Sequence, residues 1–350
     1  MTSHADRILK NASIYTVDSD RSWAQAIAIK EGKVIYVGDN QGAEAFTGNH
    51  TQVEDLQGKL ILPAFFDCHV HLTSGGMQEN ECSMDELKGQ EEVLAALKQY
   101  IENQGSDETG WVKGSGWNIS YIPEPRKEWL DEICSHRPIF LNCNDGHSAW
   151  VNSKALELAG ITKQTADPLA GEIQRDTNTD EATGLLFDFA GQMVKDVMPK
   201  ETLEEKVAGL KTGINLAHQY GITSVIEPGL DGDMIAPYLL LADQGELNIR
   251  VRGAMSPINW QPGAFADEIY EFVQQREQFS RDTVNVNSVK MYIDGTMEYG
   301  SGVLLEPYLL ADLNKKSKPF YSQQDLNKYV TWLDANGIQV HMHAIGDKGV

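Results

Sequence analysis

The sequence is poor in cysteine, in basic side chains and in long apolar runs, and each shortage closes off a class of protein. Four cysteines in 350 residues, Cys68, Cys82, Cys134 and Cys143, show no CxxC spacing and no dense framework. That argues against a disulfide scaffold or a structural zinc ribbon and leaves buried free thiols as the expectation. Lys and Arg number 29 against 51 Asp and Glu, a net charge of −22. A field of that sign repels phosphate backbones and anionic lipid, so neither nucleic acid nor a membrane is expected as a partner. The one basic cluster, Lys315, Lys316 and Lys318, is short and local. No stretch approaches the roughly 18 uncharged apolar residues that a membrane span needs. The opening MTSHADRILKNAS brings Asp6, Arg7 and Lys10 before any apolar core of signal-peptide length, which predicts a cytoplasmic location.

What is present is an ordinary globular balance, 41% apolar and 23% charged, in a chain long enough for one large domain and a smaller one. Residues 1–59 read as part of a β-rich unit of short β-branched runs punctuated by Gly32, Gly38 and Gly58, with EGKVIYVG fitting a hairpin. From residue 60 the pattern changes. LILPAFFDCHVH is a nearly continuous apolar run, as in a strand buried on both faces. ITSVIEP (222–228), LNIRVRGAM (247–255), VNSVKMYIDG (286–295) and IQVHMHAIG (338–346) repeat that character. Between them lie helical patterns at 202–221 and 322–337, the second opened by Ser322 and closed at Gly337. Strands alternating with amphipathic helices predict an α/β fold on a parallel sheet, either doubly wound or barrel. The residues between His71 and Pro199 are far too many for a βα connection, so an inserted subdomain of about 75–199 is expected over the site.

The sharpest feature is Asp67-Cys68-His69-Val70-His71. Alternate residues of a strand share a face, so His69 and His71 could converge on one cation, or could be two hydrogen-bonded, partly buried rings. His341 and His343 repeat the spacing at the end of another apolar run, where His343 is expected at the metal and His341 one layer deeper. Lys290 interrupts an apolar strand, where an amine is costly unless it is paired, for example with Asp294, or chemically altered.

These segments carry a resemblance. PAFFDCHVHL looks like the strand-1 signature of the amidohydrolase superfamily. NDGHSAWVNSKALELAGI, PLAGEIQRD, ATGLLFD, VKMYIDGTMEYGSGVLLEPY and HMHAIGD resemble its YtcJ-like branch, which includes N-substituted formamide deformylases. The resemblance implies a (β/α)8 TIM-like barrel over 60–350 with a small β-sandwich built from both chain ends. It implies metal ligands at His69, His71 and His343, with Lys290 in the place of a carboxylated lysine. His147, Asp145 and Trp117 become candidate substrate contacts, although a loop hydrogen bond would explain His147 and a core the tryptophans.

The family also needs a strand-6 histidine and a strand-8 aspartate, and neither follows HAIGD before Val350. Five barrel strands are counted where closure takes eight. The expectation is therefore a barrel truncated after strand 5, its catalytic aspartate beyond Val350; a compact form recruiting Asp294 or Asp347 is the alternative. The implied chemistry is hydrolysis of a non-peptide C–N bond in an amide, formamide or cyclic amide. Water activated on one or two divalent ions, zinc foremost, would carry it out. Deamination or ester hydrolysis on the same scaffold, or an inactive metal-binding fragment, are the other readings. A small amide-type substrate and a homodimer complete the expectation. A doubly wound cofactor binder would need a glycine-rich turn, for which Thr73-Ser74-Gly75-Gly76 is a poor match.

Overall fold

The computed structural model describes residues 4–20, 22–105, 110–168, 171–256, 267–297, 300–309 and 318–350. Lys315 and Lys316 of the expected basic cluster lie outside the described residues. The chain forms two compact units, Met1–Phe65 and Phe66–Val350.

In the first unit, Ala26–Lys30 and Lys33–Gly38 make the expected antiparallel hairpin. Glu31 and Gly32 between them hold φ at 49° and 71°. A two-residue turn of this kind needs positive φ, which glycine adopts freely. Arg7–Lys10 lies between Ala26–Lys30 and Gln52–Asp55, and a second sheet joins Trp23–Ala24, Ser13–Tyr15 and Leu60–Ile61. Because Leu60–Ile61 is paired in that sheet, the unit runs to Phe65 and does not stop at residue 59.

The second unit carries a five-stranded sheet: β1 (Phe65–Asp67), β2 (Ile222–Leu230), β3 (Arg250–Met255), β4 (Val284–Tyr292) and β5 (Gln339–His343), side by side in chain order. The pairs β2–β3, β3–β4 and β4–β5 are parallel. Three of the four crossovers hold a helix whose start is chemically marked. In α2 (Leu203–Gln219) Thr202 and Glu205 form a reciprocal capping box. Asp231 caps α3 (Gly232–Asp243), and Ser322 caps the last helix (Gln323–Ala335), with Gly337 just past its end at φ 71°. Val225, Val251, Val286, Val289 and Met291 bury against Leu210, Ile214, Tyr238 and Leu333 of these helices. Burial of that kind is the dominant favourable term, about 25 cal/mol per Å² of apolar surface. Five strands in sequential order are the arrangement of the first five of a (β/α)8 barrel, and the described residues do not close one.

The run Leu60–His71 is not one doubly buried strand. Pro63 interrupts it, Leu60–Ile61 is taken by the other sheet, and only Phe65–Asp67 pairs with β2, at the sheet edge. Phe65 and Phe66 are accordingly 57% and 48% exposed.

After α1 (Leu72–Gln78) the insertion builds its own six-stranded sheet. Its order is Gly171–Arg175, Ala182–Asp188, Ser148–Val151, Ile139–Cys143, Val112–Trp117 and Cys82–Ser83. Strand alternation divides its side chains between two cores. Leu141, Cys143, Trp150 and Leu185 face one; Phe140, Ala149, Val151 and Leu186 face the other. α1 returns against α2 through glycines: a Cβ on Gly76 would stand 1.9 Å from the Gly209 carbonyl oxygen, and one on Gly213 2.3 Å from that of Leu72. Only residues without a Cβ permit that approach. Cys82, Cys134 and Cys143 are buried, and burial pushes the thiols of Cys82 and Cys143 up to about 11, whereas Cys68 is exposed, against expectation. Among the described residues no helix is long and apolar enough to cross a membrane.

Candidate metal centre

β1 ends at Asp67, whose carboxylate accepts the His69 backbone N–H at 2.9 Å, while the Val70 N–H still donates to the Ile226 carbonyl of β2 at 3.1 Å. His69 and His71 stand in the turn leading to α1, with His71 at its N-cap, and not on strand faces. Their rings lie 5.8 Å apart at 86°. His71 turns to β2, where its Nδ1 is 2.9 Å from Oε1 of the buried Glu227. His69 turns to β5, where its Nδ1 is 3.2 Å from Nε2 of His341.

The β4–β5 register sets Lys290 opposite His341 and Tyr292 opposite His343. Lys290 is 3% exposed, and among the described residues its amine meets no acid and no hydrogen-bond acceptor, only the Tyr292 ring at 5.2 Å. The ion pair with Asp294 is not formed. Asp294, itself buried, accepts the backbone N–H groups of Val303, Ile345 and Gly346 at 2.8–2.9 Å. Burial holds the Lys290 amine below the usual lysine range. His69 and His341 are also held below the usual histidine range, first by burial and then by the Lys290 charge. The neutral forms thus favoured are the ones that carry lone pairs for a metal.

Among the described residues no three His, Cys, Asp or Glu side chains already converge as a complete metal cage. The fit of a cation rests on a smaller observation. Two nitrogens 3.2 Å apart, each about 2.0–2.1 Å from a shared ion, subtend about 100° at it, close to tetrahedral. On the strand beside them the buried Lys290 meets no acid or hydrogen-bond acceptor among the described residues, and the His71 ring lies 5.8 Å from that of His69. A cleft of about 490 Å³ adjoins His71, lined also by Asp67, Gln78, Asn142, Cys143 and Lys195.

The other expected site residues separate into two groups. His343, expected in front of His341, does not meet His69: its Nε2–H donates to the Gly295 carbonyl at 3.1 Å. Its ring lies 5.7 Å from that of Tyr292 and 6.5 Å from that of His147. His147 thus reaches the end of β5, its Nδ1 2.8 Å from Asp188. Asp145 spends its carboxylate on its own turn, accepting from the N–H groups of His147 and Ser148 and from the Ser148 hydroxyl at 2.7–2.8 Å. Trp117 is fully buried, packs 5.8 Å from Trp150 and donates its indole N–H to Leu141, so it presents nothing to a substrate. Sequence reasoning passed over Glu227. The signal was there, a single carboxylate inside the apolar run ITSVIEPGL.

Known proteins are similar to this chain in sequence and in fold. The chain is 30% identical over 356 residues to Protein LONG AFTER FAR-RED 3 of Arabidopsis thaliana, covering 98% of itself and 59% of that protein. It is 26% identical to the putative amidohydrolase YtcJ of Bacillus subtilis, over 95% of itself and 62% of that protein. Over 55% of its length it is 32% identical to the N-substituted formamide deformylase of Arthrobacter pascens, of which it covers 36%. An uncharacterized metal-dependent hydrolase from Pyrococcus horikoshii superposes with a TM-score of 0.70 at 25% identity, over 98% of this chain and 66% of that one. The chain thus spans about three-fifths of the first of these relatives. Residues 52–350, which hold both histidine pairs and the buried lysine, match the amidohydrolase family, and the chain belongs to it.

Proposed function

We propose that this chain is the metal-binding part of a hydrolase that cleaves a non-peptide carbon–nitrogen bond in a small amide-type molecule, an N-substituted formamide being the first candidate. The observation that carries the reading is the meeting of His69 with His341 at 3.2 Å beside the unpaired, buried Lys290. His69, His71, Lys290 and His341 would hold one or two divalent ions, zinc foremost. Bound there, the ion supplies Lewis acidity to a carbonyl and brings the pKa of water towards about 7.

The protein's own groups prepare that site. Only a neutral amine attacks carbon dioxide, and burial favours the neutral Lys290. Addition forms one N–C bond as one C=O π bond of carbon dioxide breaks and its electron pair moves to oxygen, and one N–H proton passes to solvent, leaving a carbamate whose oxygens are hard ligands. Asp188 orients the His147 ring at the end of β5, where it would meet the substrate. The adjoining cleft has small-molecule dimensions. His343 is the second choice for the strand-5 ligand, supported by the resemblance of HMHAIGD to the family motif.

Purified chain loaded with zinc, followed by metal analysis and by formate release from N-substituted formamides, tests the proposal. Zinc held by the native chain and lost in His341→Ala but not in His343→Ala supports it. The opposite pattern transfers the ligand to His343, and no stoichiometric zinc in any variant removes the centre. Parallel ester and amine-release assays separate esterase and deaminase activity on the same scaffold, because the ligands do not fix the leaving group.

A further inference from the structure

Glu227 lies on β2 with 3% of its surface exposed, where a carboxylate is costly unless its oxygens are saturated. They are saturated from three sides. Oε1 faces His71 Nδ1 at 2.9 Å, while Oε2 accepts the Leu72 backbone N–H and the hydroxyl of the fully buried Tyr238, both at 2.7 Å. An ionised carboxylate only accepts, so the ring proton of His71 belongs on Nδ1 and the lone pair on Nε2. The ring has little freedom to turn on that side. Its Cε1 lies against Gly229, where a Cβ would stand 3.2 Å away, while the side chain as a whole is half exposed.

We infer that Glu227, locked by Tyr238 and Leu72, is the positioning residue that fixes the His71 tautomer and makes Nε2 the nitrogen offered to a cation. The inference deepens the metal reading above and rests on it for its function. The tautomer itself stands on the hydrogen bonds alone. Carboxylates behind ligating imidazoles act in this way, and their loss typically costs 10–100-fold in metal affinity.

Glu227→Gln tests it because one amide cannot satisfy all three donors. Leu72 N–H and Tyr238 O–H together need an acceptor, so the amide oxygen turns to them and the NH2 turns to His71. Nδ1 must then accept, which moves the ring proton to Nε2. Imidazole 15N shifts of the metal-free full chain, which distinguish a protonated from a bare ring nitrogen, should report Nδ1–H in the native protein and Nε2–H in Glu227→Gln. Zinc affinity from chelator competition should fall about 10–100-fold in Glu227→Gln.

A native spectrum with Nε2–H overturns the inference, even if the glutamine variant fails to fold. An unchanged zinc affinity in a folded Glu227→Gln whose tautomer has switched overturns the positioning role. Nδ1–H in a native chain that binds no zinc removes the metal reading and leaves the tautomer assignment standing.

Discussion

Replacing Lys290 by methionine separates a structural lysine from one kept for chemistry. The side chains are close in length and both flexible, so the apolar stem is conserved and only the ammonium is removed. In the folded chain Lys290 is 3% exposed, and its ammonium has no acid or acceptor among the described residues. Leaving a polar group buried without a partner costs about 1–3 kcal/mol on protein mutational scales. The contact with Tyr292 returns about 0.5–1 kcal/mol of that. The metal-free Lys290→Met chain should therefore gain about 1–2 kcal/mol at neutral pH, read as a higher urea midpoint at unchanged slope. The sign with pH follows from the lowered folded pKa. Below the unfolded value of 10.5 the unfolded chain binds the extra proton, so native stability rises with pH as that burden is lifted. The advantage of the methionine variant should therefore shrink towards pH 10.5, while its zinc uptake is abolished at every pH. A variant less stable than the native chain by the same amount at all pH values would refute the reasoning.

Three further perturbations probe other parts of the argument. Gly213→Ala should destabilise by about 1–3 kcal/mol, despite alanine's better helix propensity, because its Cβ would press on the Leu72 carbonyl; a gain in urea midpoint would count against the α1–α2 contact. His69 and His341 have folded pKa values below 6.5, so the unfolded chain takes up protons first and stability falls as pH drops below about 6.5. Two imidazolium rings with centroids 5.1 Å apart repel by about 0.8 kcal/mol even at the dielectric constant of water, so His341→Ala should narrow the difference between urea midpoints at acid and neutral pH. Trp117→Ala should cost about 3–5 kcal/mol as a core truncation; a folded variant of native stability with altered substrate affinity would return Trp117 to the site.

The fold was legible where local chemistry is strong. The Ser322 and Gly337 punctuation and the β-branched runs of β2 to β5 each state their own structure within a few residues. The insertion was visible through its length, whereas the division of neighbours such as Phe140 and Leu141 between two cores emerged only from the structure. The start of the second unit was harder to read, because hydrophobicity does not say which sheet a residue joins. Leu60 and Ile61 are as apolar as Phe65 and Phe66 but pair with Ser13–Tyr15, and Pro63 makes the break. The glycines of the α1–α2 contact were equally silent. A missing side chain carries no pattern until the partner backbone is known.

In the candidate site, alternation sets His341 and His343 on one face of β5 and says nothing of their height along it. His341 and His343 lie on one face, and a two-residue slip of β5 along β4 would exchange their levels while leaving every apolar residue on its proper side. The hydrophobic pattern is therefore blind to the difference between them. What fixes the height is polar and distant in sequence: the Asp294 carboxylate, just after β4, binds the N–H groups of Ile345 and Gly346 just after β5 and ties the two strand ends together. With that staple in place Lys290 stands opposite His341, and it is His341 that His69 meets. Asp294 thus reaches the candidate centre through register and not as a counter-ion. Among the described residues the lysine beside it has no charge partner, because the Asp294 carboxylate is already committed to backbone.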